Sequence, residues 1–360
     1  MKRISRLSLA FVALGALLAA VVVWGGFDAR GADAVMLDVA VPTDAGLRIV
    51  WAGDTMLADS VEPVAAERGY PWVLSEVAPL LDGDVVIINH EAPITGLSEP
   101  YTPNKLYTYA VEPSTTPVLK GAGVTVLGLA NNHAMDMGPD GLAETMDNAA
   151  DAGFVSFGAG LDGTQAERPL IISGGGVTVG VVALAKGYGA RVTAGRDRAG
   201  TVVLSEATIA RGYALARKAG ADYVVAFVHW GENYEREILD DQRRLADDFA
   251  EAGYDLVIGH GPHVAQGAEV VRQTPVFYSL GNFVFGTDGS FSEENPGYGL
   301  VLSTEFSAEG LAAVSASVIN TDNKQTGFQP HPYDVAEASA ILESLGVTHV
   351  AGQVAGRQSQ

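Results

Sequence analysis

The 360-residue sequence predicts a layered α/β domain, preceded by one N-terminal signal or anchor helix. Three observations predict this class. Short β-branched runs alternate with longer amphipathic stretches, which is typical of strands and helices in separate layers. The composition, 48% hydrophobic and 18% charged, supplies enough apolar side chains for a large core. Because no internal repeat or long linker divides the chain, one large domain is expected over residues 48–328.

The N-terminal segment has the pattern of an export signal. Basic residues among the first six precede the uncharged run Leu7–Phe27, and about 20 apolar residues are enough to span a bilayer. Ala32-Asp33-Ala34 offers a cleavage pattern, so residues 1–34 are interpreted as either a signal peptide or a membrane anchor. Since the positive flank stays inside, the body is expected on the extracytoplasmic side of the cell membrane, or secreted if cleavage follows Ala34.

The elements of the domain follow a linker at residues 35–47. Strands are predicted at 48–52, 84–89, 124–130, 177–185, 223–229, 255–259, 276–280, 300–306 and 313–319. Helices are predicted at 60–68, 72–81, 140–152, 205–219 and 236–252, and a Gly follows each of the last two, as is usual at helix C-termini. Residues 329–360 hold one short helical pattern and a polar end, which predicts a peripheral C-terminal tail.

Charge and cysteine content exclude several functions. The chain has 22 Lys and Arg against 43 Asp and Glu, a net charge of −21, so a nucleic-acid backbone would be repelled over most of the surface. The absence of Cys excludes disulfides, thiolate metal sites and Cys nucleophiles. The sequence contains neither Gly-x-Ser-x-Gly nor a P-loop, so the serine-hydrolase and P-loop classes lack their first requirement.

Polar residues collect where predicted strands end. The clusters are Gly53-Asp54, Asn89-His90-Glu91, Asn131-Asn132-His133, His229-Trp230-Gly231-Glu232 and His260-Gly261-Pro262-His263. One polar residue at a strand end is ordinary, because a turn must begin there, but chance does not readily produce a series of such clusters. Ligands of open α/β sheets bind outside the carboxyl ends of the strands, so these clusters are expected to converge on one pocket.

The residue types suit a hard or borderline divalent metal, bound as one ion or two. Asp54 and Glu91 offer anionic oxygens, and Asn132 offers a neutral one. Imidazole nitrogens come from His229, His260 and His263. This mixed set favours Mn, Fe or Zn, and two ions about 3.5–4 Å apart can activate a water for attack on a phosphoryl or acyl group. His133 is then free to act as a general acid.

Supporting or substrate-contacting residues are expected at Asn89, Asn131, Asp136, Glu232 and Asn282. Several alternatives stay open. Asp54 could cap a following helix, and Asn131 or Asn132 could hold a turn. Glu232 could orient a His or be a solvated charge. His90 is expected to pack on the opposite face of its strand.

Taken in order, the motifs carry a family resemblance. They are Gly-Asp at 53–54, Asn-x-Glu at 89–91, Leu-Ala-Asn-Asn-His-x-x-Asp-x-Gly at 129–138, Gly-Ala-Gly at 158–160, His-Trp-Gly-x-x-Tyr at 229–234, Gly-His-x-Pro-His-Val at 259–264 and Tyr-Ser-Leu-Gly-Asn-Phe at 278–283. The chain thereby resembles the CapA family of capsule-synthesis and poly-γ-glutamate-biosynthesis proteins, whose fold is similar to the calcineurin-type metallophosphoesterases. The resemblance implies a four-layer αββα sandwich in which Glu91 stands at the bridging carboxylate and Met56 replaces a ligating His.

The resemblance also implies a function: an extracytoplasmic protein of capsule or poly-γ-glutamate biosynthesis with a metal-dependent, phosphoesterase-like hydrolase site. Its partners would be an anionic polymer or carrier substrate, the membrane through the N-terminus and other subunits of a membrane polymer synthase complex, with no nucleic acid. Two alternatives remain, a non-catalytic scaffold or export subunit of that complex and a general secreted metallophosphoesterase. Met56 argues against the general phosphoesterase, and His133 argues against the scaffold.

Overall fold

The computed structural model describes residues 21–22 and 34–357 of the chain. The predicted signal or anchor helix falls on residues 1–34, so nearly all of it lies outside the described residues. Val21–Val22, which are described, form a short strand that pairs antiparallel with Val35–Val39. Within the described ranges, none of the helices combines the length and the apolar composition needed to cross a bilayer.

The strands are numbered in chain order. They are β1 (Val21–Val22), β2 (Val35–Val39), β3 (Leu47–Met56), β4 (Val85–His90), β5 (Val126–Gly128), β6 (Val155–Phe157), β7 (Ala159–Gly160), β8 (Leu170–Gly174), β9 (Val177–Ala185), β10 (Gly200–Thr201), β11 (Tyr223–His229), β12 (Leu256–His260), β13 (Ala268–Val271), β14 (Thr274–Phe277), β15 (Asn282–Phe285), β16 (Tyr298–Ser307), β17 (Gly310–Asn320) and β18 (His331–Pro332).

The α-helices are numbered in the same way. They are α1 (Glu62–Arg68), α2 (Tyr70–Leu74), α3 (Thr116–Gly121), α4 (Gly138–Asp151), α5 (Gly163–Ala166), α6 (Glu206–Lys218), α7 (Asp240–Ala252), α8 (Asn323–Thr326), α9 (Val335–Ser344) and α10 (Val347–Arg357). Short 3-10 turns lie at Asp59–Val61, Ala78–Leu80 and Pro113–Thr115.

Most strands belong to two sheets. Sheet I has eight strands in the order β1-β2-β8-β9-β11-β12-β14-β13, and sheet II has the order β18-β17-β16-β3-β4-β5-β6 with β15 beside β3. Strands β9, β11, β12 and β14 of sheet I are parallel, and so are β3 to β6 of sheet II. The carboxyl ends of the central strands therefore meet at one edge of each sheet, as the predicted pocket requires.

The two sheets pack face to face, and helices cover their outer faces. Between the sheets, Ile87 of β4 shares a buried core with Phe227 of β11. On the outer face of sheet I, Phe249 of α7 packs in a second core, and Leu142 of α4 belongs to a third core outside sheet II. The layers follow the αββα order that the resemblance implied. Each central strand alternates its side chains between two cores, which explains its nearly uninterrupted apolar sequence.

Most predicted elements appear with shifted ends, and one helix is interrupted. Strands β9 and β11 begin and end as predicted. The helix predicted at 72–81 is replaced by α2 and the 3-10 turn Ala78–Leu80, because Pro79 has no N–H for a helical hydrogen bond. Helix α7 begins at Asp240 instead of Arg236, because Leu239 is extended and its N–H donates to the Gln242 side chain.

The ends of the domain differ from the expected linker and tail. The linker predicted at residues 35–47 contains β2, which pairs in parallel with β8 and extends sheet I. Residues 329–360, expected as a peripheral tail, contain α9 and α10. Their apolar side chains, including Ile341, Val350 and Val354, pack into the core between the sheets. The i, i+4 spacing of Val350 and Val354 places both on one face of α10.

Candidate metal centre

The alternation of side chains along the strands places the polar clusters between the two sheets. In β4, Ile87 belongs to the inter-sheet core, and Asn89 two residues later points the same way. In β11, His229 follows Phe227 at the same spacing. His260 at the end of β12 is the register partner of His229. On the face of these strands that builds the core between the sheets, the last side chains are therefore imidazole and amide groups, which lie at the carboxyl ends of the strands.

Asp54 reaches the same place because β3 contains a bulge. The register of β3 with β4 shifts between Ala52 and Asp54, so Asp54 pairs with Asn89 instead of following the alternation of the strand. Gly53 is required here, since a Cβ would lie 1.9 Å from the carbonyl oxygen of Gly281. Asp54 therefore lies within a strand, and the alternative in which it caps a helix does not apply.

Three ligand-type side chains form the centre of the site. Ligand atoms of Asp54, Glu91 and His263 lie within 4.8 Å of one another, and all three side chains are buried. His263 Nδ1 is 3.2 Å from Asp54 Oδ2, and its Nε2 is 3.9 Å from Glu91 Oε1. Gathering two carboxylates and an imidazole away from solvent is costly unless a positive charge is shared among them.

His263 is held in a strained and well-supported position. Its backbone φ is +61°, a left-handed value that is uncommon outside Gly. Its Nδ1 lies 2.9 Å from Asn282 Oδ1, and a hydrogen bond donated there leaves Nε2 to face Glu91. Tyr234 has φ of +60°, and its ring centroid lies 5.8 Å from that of His263. Two left-handed residues packed together mark a site where the fold accepts strain.

Asn89 was predicted to be a supporting residue, but its side chain contacts the residues of the centre directly. Its amide nitrogen donates to Asp54 Oδ1 at 2.8 Å and lies 3.1 Å from His229 Nδ1. The other nitrogen of His229 is 3.6 Å from Glu91 Oε1. Asn131 donates to the Asn89 side-chain oxygen at 3.1 Å, so this second amide fixes the orientation of the first.

Unpartnered polar atoms show that the donor set fits a divalent cation. Glu91 Oε1, Asn132 Oδ1 and both ring nitrogens of His260 are buried without a hydrogen-bond partner among the described residues. The backbone carbonyl groups of Ala52 and Val228 lie near the His260 ring and favour its protonated form, but neither forms a hydrogen bond with it. Buried polar atoms rarely stay unpaired. A cation bound among Asp54, Glu91 and His263 would give Glu91 Oε1 a partner.

The carboxylates and His263 perturb one another strongly. Burial alone would raise the pKa of Asp54, but the hydrogen bond and charge of His263 hold it well below its usual range. Burial and the charge of Asp54 raise the pKa of Glu91 well above its usual value. Burial alone would lower the pKa of His263, but Glu91 and Asp54 outweigh it and raise that pKa to about 9. Without a cation, His263 supplies the balancing positive charge.

The pKa values of two other imidazoles, those of His229 and His260, are lowered, whereas the pKa of His263 is raised. Burial lowers the pKa of His229 to about 3 and that of His260 to about 4, although the charge of Asp54 opposes the shift in both. Both rings are therefore neutral at pH 7, which is the form that a metal ligand needs.

A second group, next to the donor set, contains His133, Asp136 and Lys105. His133 Nδ1 donates to Asp136 Oδ2 at 2.6 Å, and the Lys105 ammonium is ion-paired with the other carboxylate oxygen. Burial lowers the pKa of His133, the hydrogen bond to Asp136 opposes this, and Lys105 lowers it further. His133 is thus a neutral imidazole with its Nδ1–H fixed, and its Nε2 is left to exchange a proton.

The remaining predicted residues fall in different places. Asn131 and Asn282 contact the centre through Asn89 and His263, as supporting residues would. Glu232 does not join the centre, because its side chain is 65% exposed and pairs with Lys186, which corresponds to the solvated-charge alternative. His90 is buried on the opposite face from Asn89, as expected. Met56 is buried in the apolar core on the outer side of sheet II.

Sequence reasoning missed Lys105 and the tyrosines around the site. Tyr109, Tyr188 and Tyr234 each face a different imidazole, with ring centroids 4.5 Å from His133, 5.9 Å from His229 and 5.8 Å from His263. Burial raises the pKa of all three phenols, and the charge of Glu91 adds to the effect. Only Tyr234 belonged to a quoted motif; the other two lie on loops without a distinctive pattern.

Comparisons with known proteins agree with the motifs. The family model described as "Bacterial capsule synthesis protein PGA_cap" matches residues 48–287. The chain is 33% identical to "PGA biosynthesis protein CapA" of Bacillus subtilis (strain 168), over 68% of this chain and 64% of that protein. It is 31% identical to "Capsule biosynthesis protein CapA" of Bacillus anthracis, over 66% of this chain and 60% of that protein. The match spans less than two thirds of either relative.

A solved structure of similar layout is the calcineurin-like phosphoesterase YfkN from Bacillus subtilis. It matches with a TM-score of 0.39 and 14% identity, covering 86% of this chain and 98% of that one.

Proposed function

The chain belongs to the PGA_cap family of bacterial capsule synthesis proteins, and on that premise we propose that it acts in the production of an anionic capsule polymer of the poly-γ-glutamate type. Within that process its role is metal-dependent hydrolysis or transfer on the polymer or on its carrier. The observation that carries the proposal is the buried donor set of Asp54, Glu91 and His263, in which Glu91 Oε1 has no hydrogen-bond partner among the described residues.

The donor set defines what the site can do chemically. A divalent cation would supply Lewis acidity, which polarises a substrate oxygen and neutralises charge that develops in the transition state. Asp54, Glu91 and His263 would hold it, and Asn282 keeps the His263 ring oriented. The mixture of carboxylate and imidazole donors is that of Mn, Fe or Zn. A second ion would need His229 and His260 as ligands, so the number of bound ions depends on these two residues.

His133 is the residue proposed to move a proton. Asp136 accepts its Nδ1–H and stabilises the imidazolium that forms when Nε2 takes up a proton from solvent water. Nε2 then delivers that proton to the leaving oxygen or nitrogen of the substrate. Lys105 fixes Asp136 from the other side and also donates to the Asn132 carbonyl at 2.9 Å, which ties the proton-transfer group to the segment that carries the predicted ligand Asn132.

The cellular setting is part of the proposal. The basic N-terminus and the apolar run Leu7–Phe27 support an extracytoplasmic location, either anchored in the cell membrane or secreted after cleavage. The proposed partners are the anionic polymer or its carrier and other subunits of a membrane polymer synthase complex.

Two substitutions test the enzyme against a scaffold. His133→Ala should retain metal and fold but lose most turnover, about 10²–10⁴-fold, whereas His260→Ala should lose metal as well. His331→Ala is the matched control, because His331 is exposed on β18. Metal content, cleavage of γ-linked glutamate oligomers and of a model phosphodiester, and polymer output in cells should be measured for each protein.

The pattern of results separates the candidate functions. If His133→Ala leaves polymer output intact while His260→Ala abolishes it, the centre is structural and the scaffold replaces the enzyme. If both variants leave output unchanged but phosphodiester cleavage falls, the capsule assignment is wrong and the protein is a general phosphoesterase. Loss of oligomer cleavage and of output in both variants supports the proposal.

A further inference from the structure

The β9–β10 loop, residues 186–199, crosses from one sheet to the other at the edge where the donor set lies. Its first residue is tied to sheet I, because the Lys186 N–H donates to the His229 carbonyl at 2.8 Å. Five residues later, Arg191 donates to the Tyr101 carbonyl at 3.0 Å, and its guanidinium lies over the Tyr101 ring. Tyr101 in turn donates its N–H to the carbonyl of Asp136 on the sheet II side.

Tyr188 lies between these two anchors. Its ring stands edge-on to His229, with centroids 5.9 Å apart and planes at 65°. His229 Nε2 is itself 3.6 Å from Glu91 Oε1, so the Tyr188 ring stands beside an imidazole that contacts the donor set. Burial raises the pKa of the phenol, and the charges of Glu91 and Asp54 add to the effect. The side chain is half-buried, and its hydroxyl makes no hydrogen bond with any residue in the described part of the chain. A phenol donates one hydrogen bond and is protonated at neutral pH.

We propose that Tyr188 is a substrate-binding residue, whose hydroxyl donates a hydrogen bond to an anionic oxygen of a ligand seated on the donor set. The inference rests on the proposed function, since it assumes that substrate oxygens reach the Asp54–Glu91–His263 group. The accepting oxygen belongs to a carboxylate or phosphoryl group. The anchors at Lys186 and Arg191 hold the loop in place, so the hydroxyl is positioned before the ligand binds.

The competing explanation is that the Tyr188 ring only shields His229 from solvent. The ring contact alone would serve that purpose, and a Phe would then be equivalent. Tyr109 differs from Tyr188 in its burial, and Tyr234 differs in the groups that its hydroxyl faces. Tyr109 is 8% exposed and packs closely on His133, and the Tyr234 hydroxyl faces Thr287 and the Ser290 backbone. None of the residues that the structure describes accepts the Tyr188 hydroxyl proton, so this hydroxyl is the informative one to remove.

The test compares Tyr188→Phe with Tyr213→Phe in the full chain loaded with Mn²⁺. Tyr213 is a half-buried tyrosine on α6, in the helical layer, and serves as the matched control. The probes are inorganic phosphate, whose oxygens can occupy a metal centre whatever the natural substrate is, and a γ-linked glutamate oligomer. Dissociation constants by calorimetry, bound metal and melting temperature should be measured. Losing one hydrogen bond to an anionic oxygen should weaken binding about 10-fold, with metal content and melting temperature unchanged.

The outcomes keep this inference separate from the proposed function. Weaker phosphate and oligomer binding by Tyr188→Phe alone supports both. If only phosphate binds, and does so in a Tyr188-dependent way, the inference stands and the polyglutamate assignment falls. Equal affinities for wild type and Tyr188→Phe overturn the inference, as does a loss of metal in Tyr188→Phe, because the ring would then merely support His229. If neither probe binds the wild type, the centre is not an oxyanion site and both ideas fail.

Discussion

The metal-free protein should lose stability as the pH rises from 6.5 to 9. His263 titrates near 6.5 in an unfolded chain, but in the folded protein burial is outweighed by Glu91 and Asp54, and its pKa is raised to about 9. The folded state therefore holds a proton that the unfolded state releases over this range, so the stabilisation is complete below pH 6.5 and is lost as the pH approaches 9. Glu91 has a raised pKa as well and acts with the same sign.

The size of the effect follows from the two pKa values of His263. A difference of about 2.5, at 1.36 kcal/mol for each pKa unit, corresponds to about 3 kcal/mol in the free energy of unfolding. The imidazole is buried between two carboxylates, so solvent screens little of this interaction. A bound cation takes over the charge of the proton, and the metal-loaded protein should lose little stability over the same range.

The assay is urea unfolding at pH 6.5 and pH 9, with a chelator and with Mn²⁺. The free energy of unfolding is obtained from the midpoint and slope at each pH. His263→Gln should remove most of the pH dependence of the metal-free protein, and His331→Gln, an exposed position, should leave it as in the wild type. Equal stability of the metal-free wild type at both pH values would refute the reasoning, and so would an undiminished fall in His263→Gln.

Three further predictions concern the backbone, the proton-transfer group and the location. Gly53→Ala should destabilise the protein by about 3 kcal/mol, because a Cβ there meets the Gly281 carbonyl at 1.9 Å, whereas Gly96→Ala, with open space around it, should be close to neutral in the same thermal unfolding experiment. Asp136→Asn should reduce turnover about 10²–10⁴-fold by removing the acceptor that fixes His133, while bound metal stays constant; unchanged turnover would contradict this role. Protease added to intact cells or spheroplasts should digest the body of the protein, and full protection would contradict the extracytoplasmic location.

The strand-borne part of the centre could be predicted because strands are periodic. Residues two apart on a strand share a face, so a buried Ile87 or Phe227 specifies where Asn89 or His229 will point. Parallel pairing then brings the strand ends together, which places His260 beside His229. Neither step needs information beyond the local sequence and the fold class.

The rest of the site depends on contacts between distant segments, which leave no local pattern. The bulge in β3 is fixed by the fit of Gly53 against Gly281, which lies far along the chain. Lys105 reaches Asp136 from an irregular loop, and Tyr188 is placed by the anchors of another. The sequence of α9 and α10 is rich in small and polar residues, which predicts a peripheral position, although most of the large apolar side chains face the core and Val335 is the exposed exception.

The division of the centre between the two sheets has a consequence for the lifetime of the folded state. Asp54 and Glu91 come from the sheet II side, whereas His229 and His263 come from the sheet I side. No binding site exists until the sheets have packed, so a cation can contribute little to early steps of folding. Once bound, it must be released before the sheets separate. Metal loading should therefore slow unfolding far more than it speeds folding, and lengthen the survival of the folded protein when a protease is added.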